Sequence, residues 1–213
     1  MRERVTAQAV SARSVRTLAA IAALVLFAAC GGPAPPPNPG QNRGIAPDLR
    51  GRRVLVLPVQ QVLGVAGDPD AELSFGLRDR GKDIEWVFEA EVNEILTRSP
   101  GVDARTRGLP VGNFYQAEVE RVGDPLYGQL RRMAGLVDAD AIVLPVSATY
   151  EPNAEIIDSE PRVRFMVAII NPRTGRVAWF GVEEGGPFGP DDPRGLASAV
   201  EQLVRTMLWY VRT

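Results

Sequence analysis

The sequence predicts an α/β (α+β) domain: a mixed, largely parallel sheet packed by helices, in the order β-α-β-α-β-β-β-α. Three observations carry this. The run Val56-Leu57-Pro58-Val59 recurs as Val143-Leu144-Pro145-Val146, each within an apolar stretch of the kind buried on both faces of a parallel sheet. Amphipathic segments at helical spacing lie between the two copies and again near the end of the chain. Asn171-Pro172-Arg173-Thr174-Gly175 separates two further apolar runs as a hairpin turn does.

Taken in order, Arg53–Val59 is the first strand. Proline cannot donate to a ladder, so Pro58 and Pro145 are expected where central pairing ends. Asp83 is placed to cap a helix whose Ile84, Val87, Phe88, Val92, Ile95 and Leu96 form one stripe, stopped by Ser99-Pro100-Gly101. Residues 102–106 read as a short strand. Asp124-Pro125 opens a second helix with Leu126, Leu130, Met133 and Ala134 inward. The second VLPV strand follows, then strands over 162–170 and 176–182 about the 171–175 turn. Asp192-Pro193 opens a last helix with Leu196, Val200, Leu203, Val204, Met207 and Val211 on one face.

The first 48 residues have another character. Residues 1–29 carry Arg2, Arg4, Arg13 and Arg16 against Glu3, then twelve apolar residues from Leu18 to Ala29. A basic start, an apolar run too short to span a bilayer and small residues before a cut site describe a signal peptide. Cys30 is the chain's only cysteine, so it has no disulfide partner. The stretch Leu26-Phe27-Ala28-Ala29-Cys30 resembles the bacterial lipobox, with Phe27 where that pattern favours Leu. The resemblance implies lipidation of Cys30 and a membrane anchor, made stable by two or three acyl chains. Gly31, where lipoproteins kept at the inner membrane often carry Asp, favours the outer membrane. Residues 30–48 are dominated by proline and glycine and are expected to be a semi-extended linker. Residues 49–213 then suit one globular domain.

Within that domain VLVLPV, DADAIVLPVSATYE and VRFMVAIINPRTGRVAWFG resemble bacterial lipoproteins of the curli-secretion (CsgG-type) and penicillin-binding-protein-activator (LpoB-type) superfamily. Asp138-Ala139-Asp140 stands for that family's loop before its second strand. Thr174-Gly175 and Trp179 match its hairpin, with Asn171 at a position where Asp is common. The motifs are structural, so they imply fold more than activity.

Composition narrows the chemistry. The chain has 24 basic and 26 acidic residues and no histidine, a net charge of −2. Removal of residues 1–29 takes away four arginines and one glutamate, leaving −5. Such a balance does not favour nucleic acid. Gly76–Lys82 spells GxxxxGK, but Asp83 stands where a phosphate loop needs Ser or Thr, so no nucleotide is expected. Asp68, Asp70 and Glu72 alternate like calcium ligands, yet Leu73 replaces the required glycine, and a solvated acidic loop is expected with no metal. Glu183, Glu184, Asp191 and Asp192 are paired carboxylates, of which Asp192 is explained as a cap. No catalytic residue and no cofactor is expected.

Aromatic residues in loops are open to two readings, core filling and contact with a partner. The loops 60–82, 107–123 and 183–192 lack core periodicity and are the expected contact surfaces. Phe188, flanked by glycines, is the first candidate anchor, followed by Phe114 and Tyr115. These features point to a lipid-anchored envelope protein that binds another envelope protein. Self-association into a ring, as in curli-type members, and a small-ligand or glycan-binding lipoprotein are the alternatives.

Overall fold

The computed structural model describes residues 43–116, 119–152 and 160–210. Cys30, most of the linker and Val211 lie outside them. The elements are β1 (Arg53–Val56), β2 (Gln61–Leu63), α1 (Pro69–Arg80), β3 (Glu85–Val87), α2 (Glu89–Arg98), α3 (Asn113–Gln116), α4 (Leu126–Leu136), β4 (Ala141–Glu151), β5 (Arg162–Ile170), β6 (Val177–Glu184) and α5 (Pro193–Met207). The fold is a mixed α/β sheet packed by helices, in strand order β3-β1-β4-β5-β6, with β2 also paired to β4. The pairs β1–β3, β1–β4 and β2–β4 are parallel, and β4–β5 and β5–β6 antiparallel.

The two VLPV copies are neighbours in register: Val56 is partnered with Val143, and the Leu57 amide still donates to the Val143 carbonyl at 3.0 Å. Pro58 then ends β1. Pro145 behaves differently, because β4 runs on to Glu151. A register shift against β5 at Pro145–Ser147 absorbs the missing donor, and on the other side the partner changes from β1 to β2, with Gln60 donating to the Pro145 carbonyl at 3.1 Å.

Alternation along these strands fills two cores. Val54, Val56, Val143, Phe165, Val167 and Trp179 face one side, closed by Leu73 and Leu77 of α1 and by Leu196, Val200, Leu203, Val204 and Met207 of α5. Leu55, Leu57, Ile142, Leu144 and Ala168 face the other, closed by Val92 of α2 and by Leu126, Leu130, Met133 and Ala134 of α4. Each large side chain buried in this way contributes about 1.5–3 kcal/mol. Asp192 caps α5 by accepting from the Arg194 amide at 3.0 Å, and Asp124 accepts from Gly128 in the first turn of α4 at 2.9 Å. The 171–175 turn closes as expected: Asn171 Oδ1 accepts from the amides of Arg173 and Thr174, and Gly175 takes φ of +70°.

Four expectations are corrected. Asp83 caps no helix. Residues 84–88, rich in β-branched and aromatic side chains, instead lay β3 beside β1, where Arg53 meets Glu85 at 2.5 Å, and α2 begins only at Glu89. Residues 102–106 form no strand. The acidic run at 68–72 is no solvated loop but the start of α1: Asp68 accepts from the amides of Asp70 and Ala71, and Pro69 takes the first turn. The observed element order before β4 therefore gains β2 and β3, loses the strand expected at 102–106, and carries two more helices than expected. Lastly, part of the expected linker is docked: Arg43 exchanges backbone hydrogen bonds with Phe180 of β6 at 2.8 and 3.2 Å, and Ala46 is buried.

Candidate functional site

Beyond Pro58 the chain leaves the sheet, and a cleft of about 680 Å³ opens between α1 and α2. The ends of parallel strands are where open α/β sheets place ligands and contacts. Val56, Leu57 and Leu73 floor the cleft, and Phe75, Arg78, Asp79, Lys82 and Phe88 rim it. The Val59 amide donates to Asp70 Oδ1 at 2.6 Å, so the first turn of α1 is tied to the strand end. Arg107 bridges Asp70 Oδ2 at 2.8 Å and Glu89 Oε2 at 2.6 Å, and its Nε reaches Glu89 Oε1 at 2.9 Å. Thr106, buried, donates to the same Glu89 oxygen at 2.8 Å. Gln60 holds this loop in place, donating to the carbonyls of Pro58 and Thr106 and accepting from the Leu109 amide.

Burial works against the Glu89 carboxylate, but hydrogen bonds from Arg107 and Thr106 outweigh it and hold its pKa below the ordinary value. Arg107 is raised in return, Glu89 being its main partner. Both carboxylates are paired with the one guanidinium, which leaves the network with a net charge of −1. Gly76 and Lys82 of the GxxxxGK run fall in and just after α1, a helix rather than a phosphate loop. Among the described residues no group of three or more metal-ligating side chains gathers.

Two of the expected contact loops, 60–82 and 107–123, thus meet at the strand end through Gln60, Asp70 and Arg107. The third, 183–192, lies beside the last residues of β4: the Tyr150 hydroxyl donates to the Phe188 carbonyl at 3.3 Å, and Gly64, after β2, comes within ordinary van der Waals reach of Tyr150. Phe188 is half-buried, with the Arg194 guanidinium 4.7 Å above its ring. The paired carboxylates have separate partners: Glu183 accepts from Thr206, Glu184 lies 3.6 Å from Arg164, and Asp192 pairs with Arg194.

Of the other candidates, Phe114 is corrected. Its ring is 3% exposed and stacks on Phe180 with centroids 5.8 Å apart, so it fills the core beneath α3 and presents nothing to a partner. Tyr115 is half-buried, its hydroxyl 3.4 Å from the Val146 carbonyl, and burial pushes its pKa up. Side chains that sequence reasoning passed over are the exposed ones: Phe75 at 68%, Leu63 at 70% and Val62 at 50%. The signal for Phe75 was available, since Asp68-Pro69 is the same helix opening as Asp124-Pro125 and Asp192-Pro193.

The fold and this strand-end cleft define a helix-packed, mixed-sheet α/β domain. No protein-family model matches the chain, and no curated protein matches it. Solved structures to which it is similar include the LpoB C-terminal domain from Salmonella enterica, at 15% identity over 65% of this chain and 84% of that one, TM-score 0.41. They also include lipoprotein GNA1162 from Neisseria meningitidis, at 17% identity over 74% and 98%, TM-score 0.41. A third is the PelC dodecamer from Paraburkholderia phytofirmans, at 15% identity over 82% and 100%, TM-score 0.38. At such identities and TM-scores these are likenesses of outline and carry nothing about activity.

Proposed function

We propose that the chain is a lipid-anchored protein of the cell envelope, of the kind its sequence resembles, and that its domain binds another envelope protein as an accessory in assembly or regulation. Cys30 takes the lipid, residues 1–29 are then removed, and Gly31 sends the protein to the periplasmic face of the outer membrane. The domain works by contact and not by turnover. One observation carries the contact reading. Where β1 stops, Phe75 is exposed at the rim of a cleft whose Asp70 and Glu89 are both paired with Arg107. Val62 and Leu63 are exposed on β2, the strand that follows. Exposed large apolar side chains within a polar rim have the composition of a contact surface. Phe188, half-buried under Arg194, extends it.

The test has two arms. Labelled palmitate should enter the wild-type protein and not Cys30→Ser; label in Cys30→Ser would end the anchor reading. A photo-crosslinking side chain at position 75 should capture one predominant protein in the intact envelope, lost on Leu63→Asp. Absence of any captured protein would end the contact reading.

A further inference from the structure

A second exposed apolar group lies away from the cleft, where the N-terminal segment joins the domain. Ile45 is 75% exposed and Trp209, just past α5, is 58% exposed. The two are brought together by the backbone: Trp209 Nε1 donates to the Ala46 carbonyl at 2.9 Å. The polar edge of the indole is therefore already used, and what faces outward is apolar ring. Tyr210 stands edge-on to it, with centroids 5.9 Å apart, and its hydroxyl accepts from the Leu49 amide at 2.9 Å. Arg50 lies 5.3 Å over the Tyr210 ring and pairs with Asp48, whose carboxyl it holds down to about 2.

We infer that this Ile45–Trp209 face lies on the lipid bilayer, at the level of the headgroups. The inference rests on the proposed anchor at Cys30. With that anchor, the chain from Gly31 to residue 42 can reach at most about 43 Å at ~3.6 Å per residue, and it enters the domain at Arg43, two residues before Ile45. The part of the domain held nearest the bilayer is thus the part that exposes an isoleucine and a tryptophan whose N–H is satisfied. An amphipathic ring with its polar atom tied to backbone suits the membrane–water boundary. Arg50 is balanced by Asp48 and Arg52 adds a single positive charge beside Tyr210, so the contact is made mainly by apolar burial. It needs no anionic lipid.

The test uses the full lipoprotein, extracted from expressing cells and reconstituted into phosphatidylcholine vesicles with or without brominated acyl chains. Vesicle flotation reports the anchor, and quenching of Trp209 reports the face. Wild type should float and lose fluorescence in brominated vesicles. Trp209→Phe should float and show no bromine-dependent loss, since Trp179 is 2% exposed in the core and Trp86 is held against Gly81. Ile45→Ser, a change at an exposed position, should float with the loss at least halved. Flotation with equal fluorescence in both vesicles overturns this inference alone. Trp209 shielded from aqueous quencher yet untouched by bromine would mean that a protein covers the face, and overturns it too. Failure to float overturns the anchor and this inference with it.

Discussion

Val56 and Val143 sit opposite each other in the parallel β1–β4 pair, so the two VLPV segments are register partners at the centre of the sheet. The repeated tetrapeptide marks the place where β4 exchanges one parallel neighbour for another. Up to Val143 it is flanked by β1, and from Ser147 by β2. Pro58 ends the first neighbour, and after Gln60 the chain becomes the second one, β2, which carries the exposed Val62 and Leu63.

This central position makes Leu144 a sensitive one. It is fully buried among Leu57, Met133 and Ala168 in the core beneath α4. Leu144→Ala should lower unfolding stability by ~2–5 kcal/mol, read from urea denaturation. A loss under ~1 kcal/mol would mean that this core is not closed in solution.

How far the fold was legible depended on whether a segment's own apolar pattern or a distant partner decided it. β4, β5, α4 and α5 are long runs whose periodicity matches their burial, and they were readable. α1 was not, because only Leu73 and Leu77 make its core face. Gly76 supplies closeness instead of a side chain, lying so near Val200 and Val204 that a Cβ would stand 3.2 Å from the latter. The stripe from Ile84 to Leu96 was misread for the opposite reason: its 3–4 spacing runs across a strand and a helix. Its residues divide between the two cores, Ile84 and Phe88 on one side and Val87, Val92, Ile95 and Leu96 on the other, and pairing with β1 decides the boundary. The Asp70–Arg107–Glu89 network joins residues 37 and 18 positions apart, which no local pattern encodes.

That network has a pH signature. The Glu89 pKa is depressed in the folded state, so its contribution is complete above the ordinary value of 4.5 and is lost as pH falls through the folded value. Arg107 is more than half exposed, so the pair is worth only ~1 kcal/mol after solvent screening. Arg107→Gln should therefore be less stable than wild type by about that amount at pH 7, and the gap should narrow as pH falls below 4.5. A gap that persists unchanged at pH 3 would assign the loss to packing of the 106–109 loop.

The strap that leads into the domain hangs on few bonds, and Tyr210 makes one of them. Tyr210→Phe removes the acceptor for the Leu49 amide while keeping the ring under Arg50. The change should cost ~1 kcal/mol. Faster hydrogen exchange is expected at Leu49, with the β4 and β5 amides unaffected. Equal acceleration across the sheet would show that the strap and the core open as one unit.

Two phenylalanines separate contact from core. Phe114 is buried and stacked on Phe180, so Phe114→Ala should cost ~3–5 kcal/mol of stability. The fraction that remains folded should bind its partner normally. Phe75 projects from α1 with two-thirds of its surface in solvent. Phe75→Ala removes little from the core and replaces a poor helix former with the best one, so stability should stay within ~0.5 kcal/mol. If the strand-end cleft is the contact surface, the same change should weaken partner capture by ~2 kcal/mol or more, as truncating an interface anchor does. Thermal melts and envelope pull-downs of the two variants should therefore give opposite patterns. A Phe75→Ala protein that melts early, or that still captures its partner at wild-type yield, would remove Phe75 from the contact and leave half-buried Phe188 as the remaining aromatic anchor.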